Sequence, residues 1–435
     1  MAHVLFGDAT QAGLHTIRRA VERGHYVTFV RGMSVHYYAV DDEFRALLDR
    51  VGEVIEIPDA FDADALTDAI GKAHARRPVD GVVGQYDSVL PALSEACERL
   101  QLPFTSTAGV RNVRNKALAR QLLNEVGLAS ARFAVAHNTD DVLRAAEKIG
   151  YPVVVKPVSG TDSIMASRAD RPAEVRAAAE EIFAAAADRR TPELVRRLLD
   201  NGVLVEEHVE GELVSAELGV LRGKTWRFLI TGRSRAAEND CIEMGAVLPA
   251  HHASVDEEAC FAYAERVCRA VGLDHGVFHV EMIVTGEGPV LVEVNPRAMG
   301  GVMARLYKLL TGTDFCDYIL DIHLGKHPRP GSVPRHRTIT ARRLMPRRSG
   351  TLPDQLDLAS LERLTCTLDN FENFRIRPGA AVERQQVLGR FAVLGEDWAD
   401  AMRRADELIP RFEERLGIPL IRPAFATAGT GLDEA

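Results

Sequence analysis

The chain has 435 residues, 46% of them hydrophobic, enough for roughly two to four compact units with sizeable cores. A net charge of -9 gives no general attraction for nucleic acid, although RRLMPRR at 342–348 is locally basic, and no apolar run is long enough to span a bilayer. MAHVLFGDA carries no basic leader and the six cysteines form no CxxC pair, so a cytoplasmic protein with reduced thiols is expected.

In chain order, HVLFGDA reads as a buried strand, TQAGLHTIRRAVERG as a helix ending at Gly24, and HYVTFVRG as a second strand. VGEVIEIP, DADALTDAIGKAHARR, VDGVVGQ and SVLPALSEACERL repeat the alternation, which predicts a parallel sheet covered by helices that closes near Pro103. Only Gly7 and Gly13 stand near the first turn, so a dinucleotide-binding G-x-G-x-x-G is absent. Next come a helix over RNKALARQLLNEVG, a strand at ARFAVA, a helix DDVLRAAEKIG and the strand YPVVVKPV. Residues 171–200 read as one helical, charge-rich stretch. VLVEEHV, LVSAELGVL, TWRFLITG, GVFHVEMIV and PVLVEVN predict an antiparallel sheet, because turns such as RGK and GEG are short. VMARLYKLLTG is a helix. After a linker at 328–334, the tail alternates short strands with the helix EDWADAMRRADELIPRFEERLG and forms a third unit or a lid.

The chemistry concentrates in VLVEVNPRAMGG. Strand alternation puts Val290, Val292 and Val294 on one side and Glu293, Asn295 and Arg297 on the other. Glu281 lies on the neighbouring strand of the same hairpin, so register can bring two carboxylates together. These oxygen donors suit Mg²⁺, and the guanidinium of Arg297 suits a phosphate or carboxylate; the bland alternative is that one carboxylate is solvated. Lys156 is the one charge in an apolar strand and needs an anion. Lys116 opens a helix, where a solvated charge is the simpler reading. VSGTDSIMAS is small and hydroxylated, a loop that can fold over phosphates.

Together these pieces resemble the ATP-grasp superfamily along nearly the whole chain. The resemblance implies an α/β architecture with an N-terminal parallel domain at 1–104 and an ATP-grasp domain at 105–330. The latter divides into a linker helix with a small lid (105–202) and a metal and ATP sheet (203–330); a C-terminal α+β unit fills 331–435. It further implies that Lys116 and Lys156 hold ATP phosphates under a lid of Ser159, Gly160, Thr161 and Ser163. A hinge of Glu206, Glu207 and Val209 would frame adenine, with Glu206 on the exocyclic amine. Glu281, Glu293 and Asn295 would be ligands of Mg²⁺, or of Mn²⁺, and Arg297 would hold the reacting phosphate. The lid has one glycine where the family often has several. The hinge lacks the family's acidic-aromatic pair, leaving the ribose ligand open between Glu212 and Glu217.

The neutral turn after N-x-R most resembles carboxylate-amine ligases; Gly300 and Gly301 read both as amide donors to an acyl phosphate and as a tight turn that needs glycine, and Arg305 reads equally as a ligand of a substrate carboxylate and as a surface arginine. An enzyme is implied that joins a small acid to an amine through an acyl phosphate, acting on small molecules and dimeric like many relatives. The alternatives are a biotin-carboxylase-like enzyme that activates bicarbonate and a regulatory protein that binds ATP without turnover. His275 and His279 have a helical zinc spacing, but they sit in a strand about 13 Å apart, so zinc is not expected there, with or without His251 and His252. His279 shares a side with Glu281; it and Arg342 and Arg343 stay open between structural and functional roles.

Overall fold

The computed structural model describes residues 1–159, 165–191, 195–196, 199, 201–251, 255–334 and 336–424. Strands β1 (His3–Gly7), β2 (Tyr26–Gly32), β3 (Glu53–Ile57) and β4 (Gly81–Val83) pair in parallel in the order β3-β2-β1-β4. Alternation sorts their side chains. Val4, Phe6, Val27 and Phe29 join a core with Leu14 and Ile17 of the helix Gln11–Glu22, and Leu5, Val30 and Val82 join another with Leu66, Ile70 and Leu93. Both faces are covered, which is why β1 reads as an unbroken apolar run. Helices start where the sequence offers an oxygen: Thr10, Asp41 and Asp62 accept from first-turn N–H groups.

The first of these cores extends beyond the N-terminal sheet to Leu306 and Tyr307 of the helix Met303–Thr311 and to Phe315 and Ile319 of the helix Phe315–His323. Those helices follow NPRAMGG. The turn is thereby clamped against the N-terminal sheet by side chains such as Leu306 and Phe315, each contributing roughly 1.5–3 kcal/mol.

A small antiparallel sheet contains β5 (Phe133–Ala136), β6 (Val153–Pro157), β7 (Ser167–Ala169) and β8 (Val203–Glu207) in the order β5-β8-β6-β7. Val153, Val155, Val203 and Val205 pack against the helices Thr139–Ile149 and Pro172–Ala187. Lys156 and Glu206, on the other parity, turn away from that core and line a cleft.

The large sheet is wholly antiparallel and eight-stranded. Its members are β9 (Glu212–Leu221), β10 (Lys224–Arg235), β11 (Glu243–Leu248), β12 (His275–Thr285), β13 (Gly288–Asn295), β14 (Thr338–Leu344), β16 (Asn370–Asn373) and β18 (Gly389–Gly395), in the order β13-β12-β9-β10-β11-β14-β18-β16. β15 (Gly350–Thr351) and β17 (Ala381–Val382) form a separate ribbon. The segment after residue 331 thus adds three strands to the sheet that carries Glu281 and Glu293, while the helix Trp398–Leu416 closes its own apolar core.

Three local expectations change. VLVEEHV pairs with β5 and β6 rather than with the large sheet. The helix expected over 114–127 spans Lys116–Glu125, because Asn115 is extended and caps it through Leu118 N, and a separate helix, Thr107–Arg114, precedes it. The helix read over 171–200 ends at Ala187, where Asp188 is extended.

Candidate active site

One face of the large sheet carries a polar strip. Register sets Glu281 opposite Glu293 and His279 opposite Asn295 across β12 and β13, and Ser215 opposite Glu281 and Glu217 opposite His279 across β9. The intervening Ala216, Val280 and Val294 face the core beneath the helix Glu257–Val271. Two opposed carboxylates repel each other, and the neighbouring cations offset this: His279 Nε2 is 3.0 Å from Glu281 and Lys116 Nζ is 3.2 Å from Glu293.

Glu217 is 0% exposed and accepts from His279 Nδ1 and, at 3.1 Å, from Met299 N. It fixes the imidazole and the NPRAMGG turn together. Burial opposes charge on His279, yet Glu217 and Glu281 hold its pKa up at about 9. Burial likewise opposes charge on Glu281, but His279, Arg233 and Arg297 bring it down to about 2. The carboxylates on either side thus favour the protonated form of His279, whose Nε2 also lies 3.1 Å from Arg233 Nη2.

Across the cleft, Glu206 is buried in contact with Arg120 and with Lys156 Nζ at 2.5 Å. Burial would raise its carboxyl; Arg120 and Lys156 instead hold it below the usual carboxylate range. Arg120 lies one helical turn after Lys116, so one helix delivers both cations to the cleft. Lys116, Arg120 and Lys156 face Glu206 and Glu293, and Glu281 lines the same cleft. Val154, Leu213, Ile283 and Leu291 add an apolar slot to the lining of the same cleft, with Glu207, His208 and Val209. The N–H groups of Glu207 and His208 already donate to Arg132 O and Pro152 O.

Arg297 extends from the end of β13 to Asp87, just past β4, with Nε at 2.7 Å and Nη2 at 2.6 Å from Oδ2. Gly300 and Gly301 line a side pocket with Arg297, His279 and Glu281. Gly301 needs to be glycine: its φ is +59°, and a Cβ there would come within 2.9 Å of Arg390 Nη1.

Other expected residues stand apart from this constellation. Ser159 is tied down, donating to Arg114 O at 3.2 Å and accepting from Asn201 at 3.1 Å. Gly160, Thr161 and Ser163 lie outside the described residues, as does His252. Glu212 lines a different pocket, beside Arg233 and Trp398, and Glu217 is committed to His279, so neither ribose candidate lines the cleft of Lys156 and Glu206. Arg305 is exposed on the outer face of its helix, opposite the buried Leu306 and Tyr307, and does not line the side pocket. Arg343 does line it, whereas Arg342 is fully buried against Ser234 and Thr340. Sequence reasoning missed Arg120, Asp87, Arg233 and Arg390. The only signal for Arg120 was its spacing from Lys116 on one helical face.

Residues 17–104 match the family model of an ATP-grasp N-terminal domain, and residues 149–305 match that of an ATP-grasp domain. The chain belongs to the ATP-grasp superfamily. An uncharacterized protein of Sinorhizobium fredii (strain NBRC 101917 / NGR234) is 28% identical to this ATP-grasp chain over 339 residues, 76% of this chain and 67% of that one. Carnosine synthase 1 of Homo sapiens is 26% identical over 268 residues, 60% of this chain but 32% of that protein. The ATP-grasp chain thus spans about a third of that relative's length. The crystal structure of L-amino acid ligase from Bacillus licheniformis superposes with a TM-score of 0.73 at 21% identity, covering 97% of this chain and 98% of that one, which establishes the shared fold.

Proposed function

We propose that the chain is an ATP-dependent ligase that joins a small carboxylic acid, an amino acid, to an amine through an acyl phosphate, releasing ADP and phosphate. The observation that carries this reading is the sharing of one sheet face by Glu281, Glu293 and Asn295, with Lys116 beside Glu293 and with Glu281 lining both the cleft and the side pocket of Arg297. Among the described residues no group of three or more His, Cys, Asp or Glu is placed to hold a metal; the set here is two carboxylates and an amide. Hard oxygens on one sheet face, two of them opposed carboxylates, fit Mg²⁺ or Mn²⁺ held partly by substrate phosphates. When bound, the metal would neutralise phosphate charge.

The residues' own work follows from their placement. The hinge at Glu207 to Val209 and the apolar slot take the adenine. Lys116 and Lys156 hold phosphates, Lys156 itself positioned by Glu206. Attack by the substrate carboxylate on the γ-phosphorus breaks its bond to the bridging oxygen, and Arg297 exchanges Asp87 for the transferring phosphoryl group. Gly300 and Gly301 present backbone where the acyl phosphate forms, at the start of the helix Met303–Thr311. The amine then attacks the acyl carbon, phosphate leaves, and a C–N bond remains; closure of the small sheet over the cleft keeps water from competing. The names of two relatives, carnosine synthase and L-amino acid ligase, support amino acids as the acids.

The test is a screen of amino acids in pairs with ATP and Mg²⁺, reading ADP and product mass. Glu293→Gln is expected to cut ADP formation by roughly a hundredfold or more. ADP formation at the wild-type rate in that variant, or none in the wild type with any pair, refutes the reading.

A further inference from the structure

The register of β14 and β18 puts Arg343 directly opposite Arg390. Like charges so placed repel, and such a pair persists where anions surround it. Arg343 Nη2 is 3.0 Å from Glu243 Oε1, and Arg390 Nη1 is 3.4 Å from Glu372 Oε2. Glu243 is shared, since Arg233 Nε lies 3.6 Å from its other oxygen. Arg233, Arg343 and Arg390 thus gather around the pocket that Glu243 borders.

Position gives the pair its meaning. On one side Arg343 and Arg390 line the pocket that holds Glu281, Arg297 and Gly301; on the other they line a more polar cavity bounded by Phe374 and Arg384. Glu243 borders both of these and the nucleotide cleft as well. The missing Cβ at Gly301 is what lets the Arg390 guanidinium come up to the turn that follows Arg297. The phosphates already have Lys116, Lys156 and Arg297, so a second cationic centre beyond them serves a different anion.

We infer that Arg343 and Arg390 bind a second carboxylate, one that is not activated, carried by the substrate whose amine attacks. The amine substrate is then an amino acid or a similar amino-carboxylate, entering through the cavity beside Phe374. This rests on the ligase reading above. A planar guanidinium pair matches a carboxylate through paired N–H donors, and such charge-assisted contacts distinguish a carboxylate from its amide by roughly tenfold to a hundredfold.

The experiment is a thermal-shift titration of the whole protein with ADP, Mg²⁺ and each proteinogenic amino acid, beside the matching amino-acid amides. At least one amino acid is expected to bind roughly tenfold to a hundredfold better than its amide, and that preference to collapse towards unity in Arg343→Gln and in Arg390→Gln. Each variant removes one of two repelling charges; Arg343→Gln leaves Glu243 with Arg233, and Arg390→Gln leaves the partly exposed Glu372 to solvent. Equal binding of acid and amide by the wild type, or an intact preference in both variants, overturns the inference. Simple mono- and dicarboxylic acids form a second arm: a variant-sensitive preference there, and none among amino acids, moves the carboxylate to the acid substrate and overturns its assignment to the amine. ADP formation, read separately, tests the ligase reading. Preference without ADP sinks that reading alone, and ADP without preference sinks this inference alone.

Discussion

His323→Phe isolates one buried group whose protonation opposes folding. His323 ends the helix Phe315–His323, is 6% exposed, and lies between the rings of His275 at 5.7 Å and Phe104 at 5.9 Å. Burial, reinforced by His275, pulls its pKa from 6.5 down to about 3. The folded state binds fewer protons than the unfolded chain between those values. The stabilisation from keeping this ring neutral is therefore complete above pH 6.5 and is lost progressively as pH falls towards 3. Between pH 7 and pH 5 the loss works out at roughly 2 kcal/mol. Phenylalanine keeps the ring contacts and cannot protonate. Urea unfolding of both chains at pH 7, 6 and 5 should show the wild type losing about 2 kcal/mol more than the variant over that interval. His275, also lowered by burial, remains in both chains. Parallel stability-against-pH curves would refute the reasoning.

Arg120→Met leaves the buried Glu206 with Lys156 alone and should cost about 3 kcal/mol of stability. It should also weaken binding of a non-hydrolysable ATP analogue; an unchanged urea midpoint together with unchanged analogue affinity would contradict the pairing of Arg120 with Glu206 in the cleft. Gly301→Ala forces a side chain into left-handed backbone and against Arg390, so a loss of about 1–2 kcal/mol is expected by denaturant titration, with Gly300→Ala as the milder comparison. A larger loss for Gly300→Ala would invert that argument.

What lay within one strand or one helix was legible in the sequence. The E-x-N-x-R alternation and the lone charge at Lys156 both follow from side-chain period, and the N-terminal parallel sheet follows from its repeated strand-helix pattern. What depended on register between distant strands was not. Glu217 reads as one more carboxylate in LVSAELGVL; only the pairing of β9 with β12 makes it the partner of His279. Asp87 meets Arg297 because helices after the turn pack onto the N-terminal sheet, a contact that no local pattern encodes. The strands after the linker join the main sheet through pairing between β11 and β14, long-range hydrogen bonding to which composition is blind.

β12 and β14 are four steps apart in the large sheet, which would separate them by roughly 19 Å if the sheet lay flat. Glu281 on one and Arg343 on the other nevertheless line the same pocket. The pocket reaches across the strands between them, and those strands work as a caliper. The span from Glu281 to the arginine pair is set by the backbone of β9, β10 and β11, which lie between them. A substitution that flattens or tightens those middle strands would change the length of molecule that can bridge the two ends while touching neither.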